Sequence, residues 1–415
     1  MGKVRYRTLM LFAVVLCIMM ENYFYAIPGL SLLSGIYYKY ISYIYIVLAL
    51  VCYSNRHIKR TIAPYCKSVN RFLIIIYGIV IVESIYTIYF SDLTFWEVLS
   101  NASIYLKFLL VYPILYILIM YGTEKINKRF AIVLGCMVLY CAYIAIVFNS
   151  TGTNLNSILI YNERRLRGNS IRIQSIALLW LIVPILFNSA LFTKSIIKKM
   201  VLGVLSISSL LYFIFINQSR ANYTAMIAMT VAMYIFKERR QGKQIATIII
   251  VAVCGLLFLN SKTFTDFLYT FSVNYESNTT AERFVIIADL NNAVKAMPLG
   301  YLFGIGIRNT VEIGGTVRWF MDIGFLGDLF NIGILAVAIY GYMLYRIIKT
   351  IKHIKSINHV ETNFLIGIAT YLLVGMIGCT LLPYSRIFSL AFILGYCEFF
   401  ENKYRRLKRG QNEGR

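Results

Sequence analysis

Nine arginines of this 415-residue chain stand apart from its other basic residues: Arg164, Arg165, Arg167, Arg172, Arg220, Arg283, Arg308, Arg318 and Arg386. A guanidinium is a planar fork of donors that holds a phosphate or carboxylate through two parallel bonds, so converging arginines point to a phosphate-bearing ligand. The competing reading pairs them with Glu163, Glu276, Glu282, Asp289 and Glu312 as ion pairs of little energetic weight. Carboxylates are scarce, and Asp322 and Asp328 are two of only five aspartates. A carboxylate within hydrogen-bond reach of a hydroxyl can act as its general base, and one beside Arg318 or another arginine can equally form a structural pair.

Four stretches carry seven of these arginines and both aspartates. Tyr161 to Gly168 places Arg164, Arg165 and Arg167 beside Glu163 and an aromatic ring; it can close on an anion or be a solvated turn. Asn217-Gln218-Ser219-Arg220-Ala221-Asn222 joins two apolar runs with almost no loop, so Arg220 falls at a helix start at or just beneath the membrane surface. A lone arginine there can snorkel to headgroups, but its polar neighbours favour a site. Thr279-Thr280-Ala281-Glu282 is a capping-box signal for a helix that carries Arg283 and ends before Pro298; a glycine-studded turn, Gly300 to Arg308, follows. Finally, Arg318 to Asn331 takes the chain back into an apolar run, with Asp328 about two turns deeper than Asp322 if that run is one helix.

The elements that must position these residues are membrane helices. Hydrophobic residues make up 59% of the chain and charged ones 14%, against about half and a quarter in soluble domains. Apolar runs of spanning length predict an all-α polytopic membrane protein with about twelve transmembrane helices. They are Thr8–Ile27, Ile36–Tyr53, Phe72–Phe90, Ile104–Tyr121, Ala131–Phe148, Ile173–Phe192, Met200–Ile216, Ala221–Phe236, Ile245–Leu259, Met321–Tyr345, Phe364–Leu382 and Ile387–Phe400. Most of the 41 lysines and arginines fall in alternate short connections on the side of the N-terminus, which predicts that both termini are cytoplasmic. The chain then reads as one integral-membrane domain, residues 1–415, with an arginine-rich outer loop over 149–172 and a long outer loop containing short helices over 260–320.

The net charge of +23 follows from this topology rather than from nucleic-acid binding, because no continuous basic face or soluble module carries it. The eight cysteines sit mostly in apolar runs without metal-ligand spacing, and His57, His353 and His359 fall on the cytoplasmic side. There is no phosphate-binding loop of the Gly-x-x-x-x-Gly-Lys type and no His-Glu-x-x-His, so neither a nucleotide cofactor nor a metal is expected. Glu83 and Lys107 fall at similar depths in neighbouring spans and are expected to pair. Neither interrupted helices nor internal repeats are evident, which counts against a transporter.

The arrangement resembles the superfamily of O-antigen polymerases and O-antigen ligases, bacterial inner-membrane glycosyltransferases acting on undecaprenyl-pyrophosphate-linked glycans. The resemblance rests on three features in order, over about 173–345. They are Ser219-Arg220 opening a span, Arg283 leading to Pro298-Leu299-Gly300 and Gly304-Ile305-Gly306, and the re-entry pattern Asp322, Phe325, Leu326, Leu329 and Gly333. It implies inverting transfer on the extracytoplasmic face without cofactor or metal, with a lipid-linked oligosaccharide and membrane lipid as partners. Whether a chain-length regulator acts beside it is left open. Arg220 and Arg283 would hold the pyrophosphate and Asp322 would be the base, with Asp328 or Glu282 as alternatives for that role, and Arg164, Arg165, Arg167, Ser219, Glu282, Arg308, Arg318 and Asp328 as further contacts. Ligases usually carry a histidine near the re-entry helix; Met321-Asp322 here favours the polymerase. A ligase and a flippase of lipid-linked sugars remain alternatives.

Overall fold

The computed structural model describes residues 2–21, 32–155, 166–167, 170–171, 173, 178–217, 219–237, 279–308, 310–378 and 386–413. The expected ninth span, Ile245–Leu259, the outer-loop segment 260–278, and Arg164, Arg165 and Arg172 lie outside them.

The described chain is almost entirely helical. In order come α1 (Gly2–Glu21), α2 (Leu32–Ser54), α3 (Arg56–Ile62), α4 (Lys67–Phe90), α5 (Phe95–Ala102), α6 (Val111–Tyr121), α7 (Thr123–Thr151), α8 (Ile182–Phe192), α9 (Ile196–Tyr212) and α10 (Arg220–Phe236). The outer segment contributes α11 (Thr279–Ala296), α12 (Gly300–Phe303) and a hairpin of β3 (Thr310–Ile313) and β4 (Thr316–Trp319), antiparallel with Glu312 opposite Val317. Then follow α13 (Phe325–Ile332), α14 (Ile334–Ile354), α15 (His359–Gly378) and α16 (Arg386–Glu413). A two-residue pairing of β1 (Leu166–Arg167) with β2 (Ser170–Ile171) is the other sheet among the described residues.

Six helical stretches are long and apolar enough to cross a membrane: Lys67–Phe90, Phe95–Tyr121, Thr123–Thr151, Ile196–Asn217, Ile334–Ile354 and His359–Ile377. Shorter apolar helices, Tyr6–Met20, Ser42–Ser54, Leu179–Phe192 and Ala221–Phe236, coincide with four more expected spans. Their outward faces are apolar. On α4, Phe72, Ile76, Val80 and Glu83 point inward while Ile74, Ile75, Ile81 and Tyr89 are exposed, the distribution a helix needs when lipid surrounds the bundle. This is a membrane-embedded helical protein.

One end of the bundle gathers its charges. Arg346 on α14 is 3% exposed and pairs with Glu398 and Glu401 of α16. Glu361 at the start of α15 accepts hydrogen bonds from Thr123, Lys403 and Tyr404. Asn188 of α8 donates to the Val360 carbonyl and accepts from Asn363. Arg7 and Arg129 lie over the Tyr121 ring, and Arg406 over that of Tyr65. The first and last helices therefore meet the basic connections at a common end, and interhelical polar contacts of this kind tie helices together where water is absent.

At the opposite end the expected tenth span, Met321–Tyr345, is not one helix. It is a 3-10 turn over Phe320–Ile323, then α13 and α14, broken at Gly324 and Gly333. Both glycines have positive φ, 65° and 52°, which a side-chain-bearing residue resists. A Cβ on Gly324 would lie 2.6 Å from the carbonyl oxygens of Met376 and Ile377; one on Gly333 would lie 2.0 Å from that of Leu302. Interruption thus comes from close backbone approach, and Asp322 and Asp328 sit on separate elements. The expectation that no helix is interrupted is corrected with it. The fourth span is also irregular, with Ser103–Leu110 wound as 3-10 helix between α5 and α6.

Replacing Gly324 by alanine is expected to cost about 2–5 kcal/mol, from backbone strain plus overpacking. A lowered unfolding temperature in detergent measures it; an unchanged one would mean that α15 moves aside freely.

Candidate functional site

The glycine turn is clasped by three separate elements. Ile305 and Gly306 donate their backbone N–H groups to the carbonyls of Phe330 (2.8 Å) and Asn331 (2.9 Å) at the end of α13. The Ile307 N–H donates to the Thr87 hydroxyl (2.9 Å), and Asn101 of α5 donates to the Ile307 carbonyl (3.2 Å). Tyr86 donates to the Pro298 carbonyl at 2.7 Å. Residues 304–308 are all buried. A loop cannot be buried unless its backbone polar groups are bonded, and these contacts meet that demand.

Arg308 ends the turn. Its backbone N–H donates to the Asn331 side chain (3.2 Å), and the residue is 8% exposed. Its guanidinium pairs with Asp92 at 3.3 Å, but Asp92 is 84% exposed, and the Arg308 Nε is buried with no hydrogen-bond partner. A cation taken from water and bonded at one corner to a solvated carboxylate is incompletely compensated, and a bidentate anion would complete it. Arg318 differs. Its Nε and Nη2 both contact Asp289 Oδ2, at 2.9 and 2.7 Å, joining β4 to α11.

Among the described residues helix α11 runs over Thr279–Ala296 and ends before Pro298, as expected; the capping bonds expected of Thr279 and Glu282 lie outside what is described. Ile286, Leu290 and Val294 on one face form a small core with Ile305, Phe320 and Ile323. Helical spacing puts Arg283 on the same side of α11, one turn before Ile286. Arg283 is half-buried. Glu282 precedes it in the first turn of α11.

The second arginine segment starts differently. Ser219 occupies the cap position of α10 without a side-chain capping bond, and Arg220 is the first helical residue, as the sequence predicts. Just before it, Phe213–Asn217 is wound as a π-helix, a local widening frequent at functional sites. Asn217 donates to the Ile173 carbonyl (2.9 Å), Asn222 to Asn217, and Tyr371 of α15 to Asn222. Tyr371 stacks on Trp180 at 4.0 Å, and Trp180 donates to Ser389. Helix α15 joins the two halves, since its Met376 and Ile377 carbonyls meet Gly324 about a turn and a half beyond Tyr371. Arg220 and Asp322 are thus carried by elements seated on the same helix.

Asp328 on α13 is 2% exposed and accepts from the Tyr340 hydroxyl. The expected Glu83–Lys107 pair is not formed: both are buried, yet neither Glu83 oxygen has a hydrogen-bond partner. Arg167 falls on β1, remote in sequence from the clasp. Sequence reading missed Tyr86, Thr87, Asn101 and Asn331 as clasp residues. Their signal is faint, consisting of polar side chains near the outer ends of apolar runs. Among the described residues no group of His, Cys, Asp and Glu could hold a metal ion. Neither a protein-family model nor a curated protein matches this chain.

Proposed function

We propose that this chain is a multi-pass bacterial inner-membrane glycosyltransferase that polymerises undecaprenyl-pyrophosphate-linked oligosaccharide repeat units on the extracytoplasmic face, in the manner of an O-antigen or capsule polymerase. The observation that carries the reading is Arg308: a buried, under-compensated guanidinium held rigidly at the end of the bundle opposite its basic connections. By the positive-inside rule that end is extracytoplasmic. In this reading Arg220, at the start of α10, and Arg283, on α11, are assigned to the same leaving group, as the resemblance implies.

In the reaction, an acceptor hydroxyl oxygen attacks the anomeric carbon of the lipid-linked glycan from the side opposite the pyrophosphate. The carbon–oxygen bond to pyrophosphate breaks, its electron pair stays on the leaving group, and the hydroxyl proton passes to a carboxylate, assigned to Asp322. Arginines fixed beforehand around the leaving group stabilise charge as it develops. Asp328, bonded to Tyr340, is the weaker candidate for the base.

Purified protein given lipid-linked repeat units in detergent should lengthen them while the product stays on its polyprenyl carrier. Transfer to a different acceptor would mean a ligase. A second reading, a flippase of lipid-linked sugars, gains support from the breaks at Gly324 and Gly333 beside the buried Asp328, since transporters build sites from interrupted helices. Movement of labelled lipid-linked sugar across proteoliposomes without elongation would select it.

A further inference from the structure

Glu83 lies on α4 one turn below Thr87 and is fully buried, with both carboxylate oxygens lacking a hydrogen-bond partner. An ionised carboxylate without water, donors or a contacting cation is prohibitively costly, and such a group neutralises by holding a proton. Among the described residues no cation is paired with it. On α4 itself Tyr86 lies within electrostatic reach. From the 3-10 stretch, buried Tyr105 lies within reach of both Glu83 and Asp328, while Lys107 makes no hydrogen bond to Glu83. Asp328 of α13 is bound by Tyr340 of α14, and Arg308 is turned to Asp92. Helix α16 brings Glu398 only to the far end, where it pairs with Arg346.

The same turn of α4 holds the glycine turn. Thr87 donates its hydroxyl to the Glu83 backbone carbonyl (2.7 Å) and accepts from the Ile307 N–H. A Cβ on Gly306 would lie 2.5 Å from the Thr87 hydroxyl oxygen, so the turn is packed directly against this part of α4.

We propose that Glu83 is a proton-binding site whose occupancy is coupled to the seating of the Gly304–Arg308 turn: seated, Glu83 is dry and protonated; lifted, it meets water and releases its proton. The ligand is the proton itself, and the coupling holds whether the site above transfers sugar or moves lipid. Because the seated state binds one proton more than the lifted one, seating weakens as pH rises once the freed carboxyl ionises.

Two measurements on full-length protein in phospholipid nanodiscs test this. Infrared spectra of unsubstituted protein, with and without carbon-13 glutamate, should show a protonated-acid carbonyl band at neutral pH that shifts with the label. The band should be missing in Glu83→Gln. Absence of any label-sensitive acid band, or its persistence in folded Glu83→Gln, overturns the proton site. In hydrogen exchange, opening at the Ile307 amide should rise by about tenfold per pH unit beyond the intrinsic pH dependence, and this excess should vanish in Glu83→Gln. Should that variant fail to fold, the labelled unsubstituted protein still decides occupancy, and an absence of excess in its exchange overturns the coupling.

Discussion

Replacing Arg220 by alanine is expected to leave the protein inserted and folded while slowing repeat-unit transfer by about 10²–10³-fold, the usual loss when one preorganised donor to developing charge is removed. Arg283→Ala should act in the same direction. Membranes from either variant should accumulate single lipid-linked repeats in place of long polysaccharide, read as a collapsed ladder on a gel. The expectation for Arg220 rests on its setting. It opens α10 immediately after a π-helical turn, and its neighbours Asn217 and Asn222 are tied into α15 through Tyr371. Such a setting fixes the backbone at that position, which a snorkelling arginine would not need. Arg220→Lys should not restore full rate, because an ammonium lacks the planar fork that meets two phosphate oxygens together. Normal chain length in both alanine variants would remove Arg220 and Arg283 from the mechanism and overturn the polymerase reading.

The largest expected loss of stability lies at the other end. Arg346→Ala strands Glu398 and Glu401, which are 1% and 2% exposed, and should cost about 3–5 kcal/mol. Arg405 and His353 approach Glu401 from the surface but do not replace the buried guanidinium. Replacing all three, Arg346→Met with Glu398→Gln and Glu401→Gln, should recover much of that loss, because no buried charge is left alone. Thermal unfolding of the detergent-solubilised protein checks both. If Arg346→Ala melts like the unsubstituted protein, the network does not hold α14 to α16.

Much of this was legible in the residues themselves. Pro298 lies just past the end of α11, and the short polar link before Arg220 becomes a helix start, because prolines and abrupt polarity changes act locally. What escaped was set by contacts distant in sequence. Met321–Tyr345 is continuously apolar, and glycines inside such a run read as tolerated; only the carbonyls of Leu302, Met376 and Ile377 reveal why Gly324 and Gly333 break it. The unformed Glu83–Lys107 pair has a helical cause. A 3-10 segment advances about 120° and 2.0 Å per residue against about 100° and 1.5 Å in an α-helix, so α-helical counting through Ser103–Leu110 assigns both the wrong face and the wrong depth. Nothing local in Ser-Ile-Tyr-Leu-Lys-Phe-Leu-Leu announces that winding.

The clasp between α4 and the glycine turn joins residues more than 200 positions apart, Tyr86 to Pro298 and Thr87 to Ile307. At ribosomal speed that separation amounts to roughly 10–40 seconds of synthesis, during which Tyr86 and Thr87 await their partners. The glycine turn is therefore a late-arriving keystone. A nascent chain cut short before it leaves Tyr86 and Thr87 without their Pro298 and Ile307 partners.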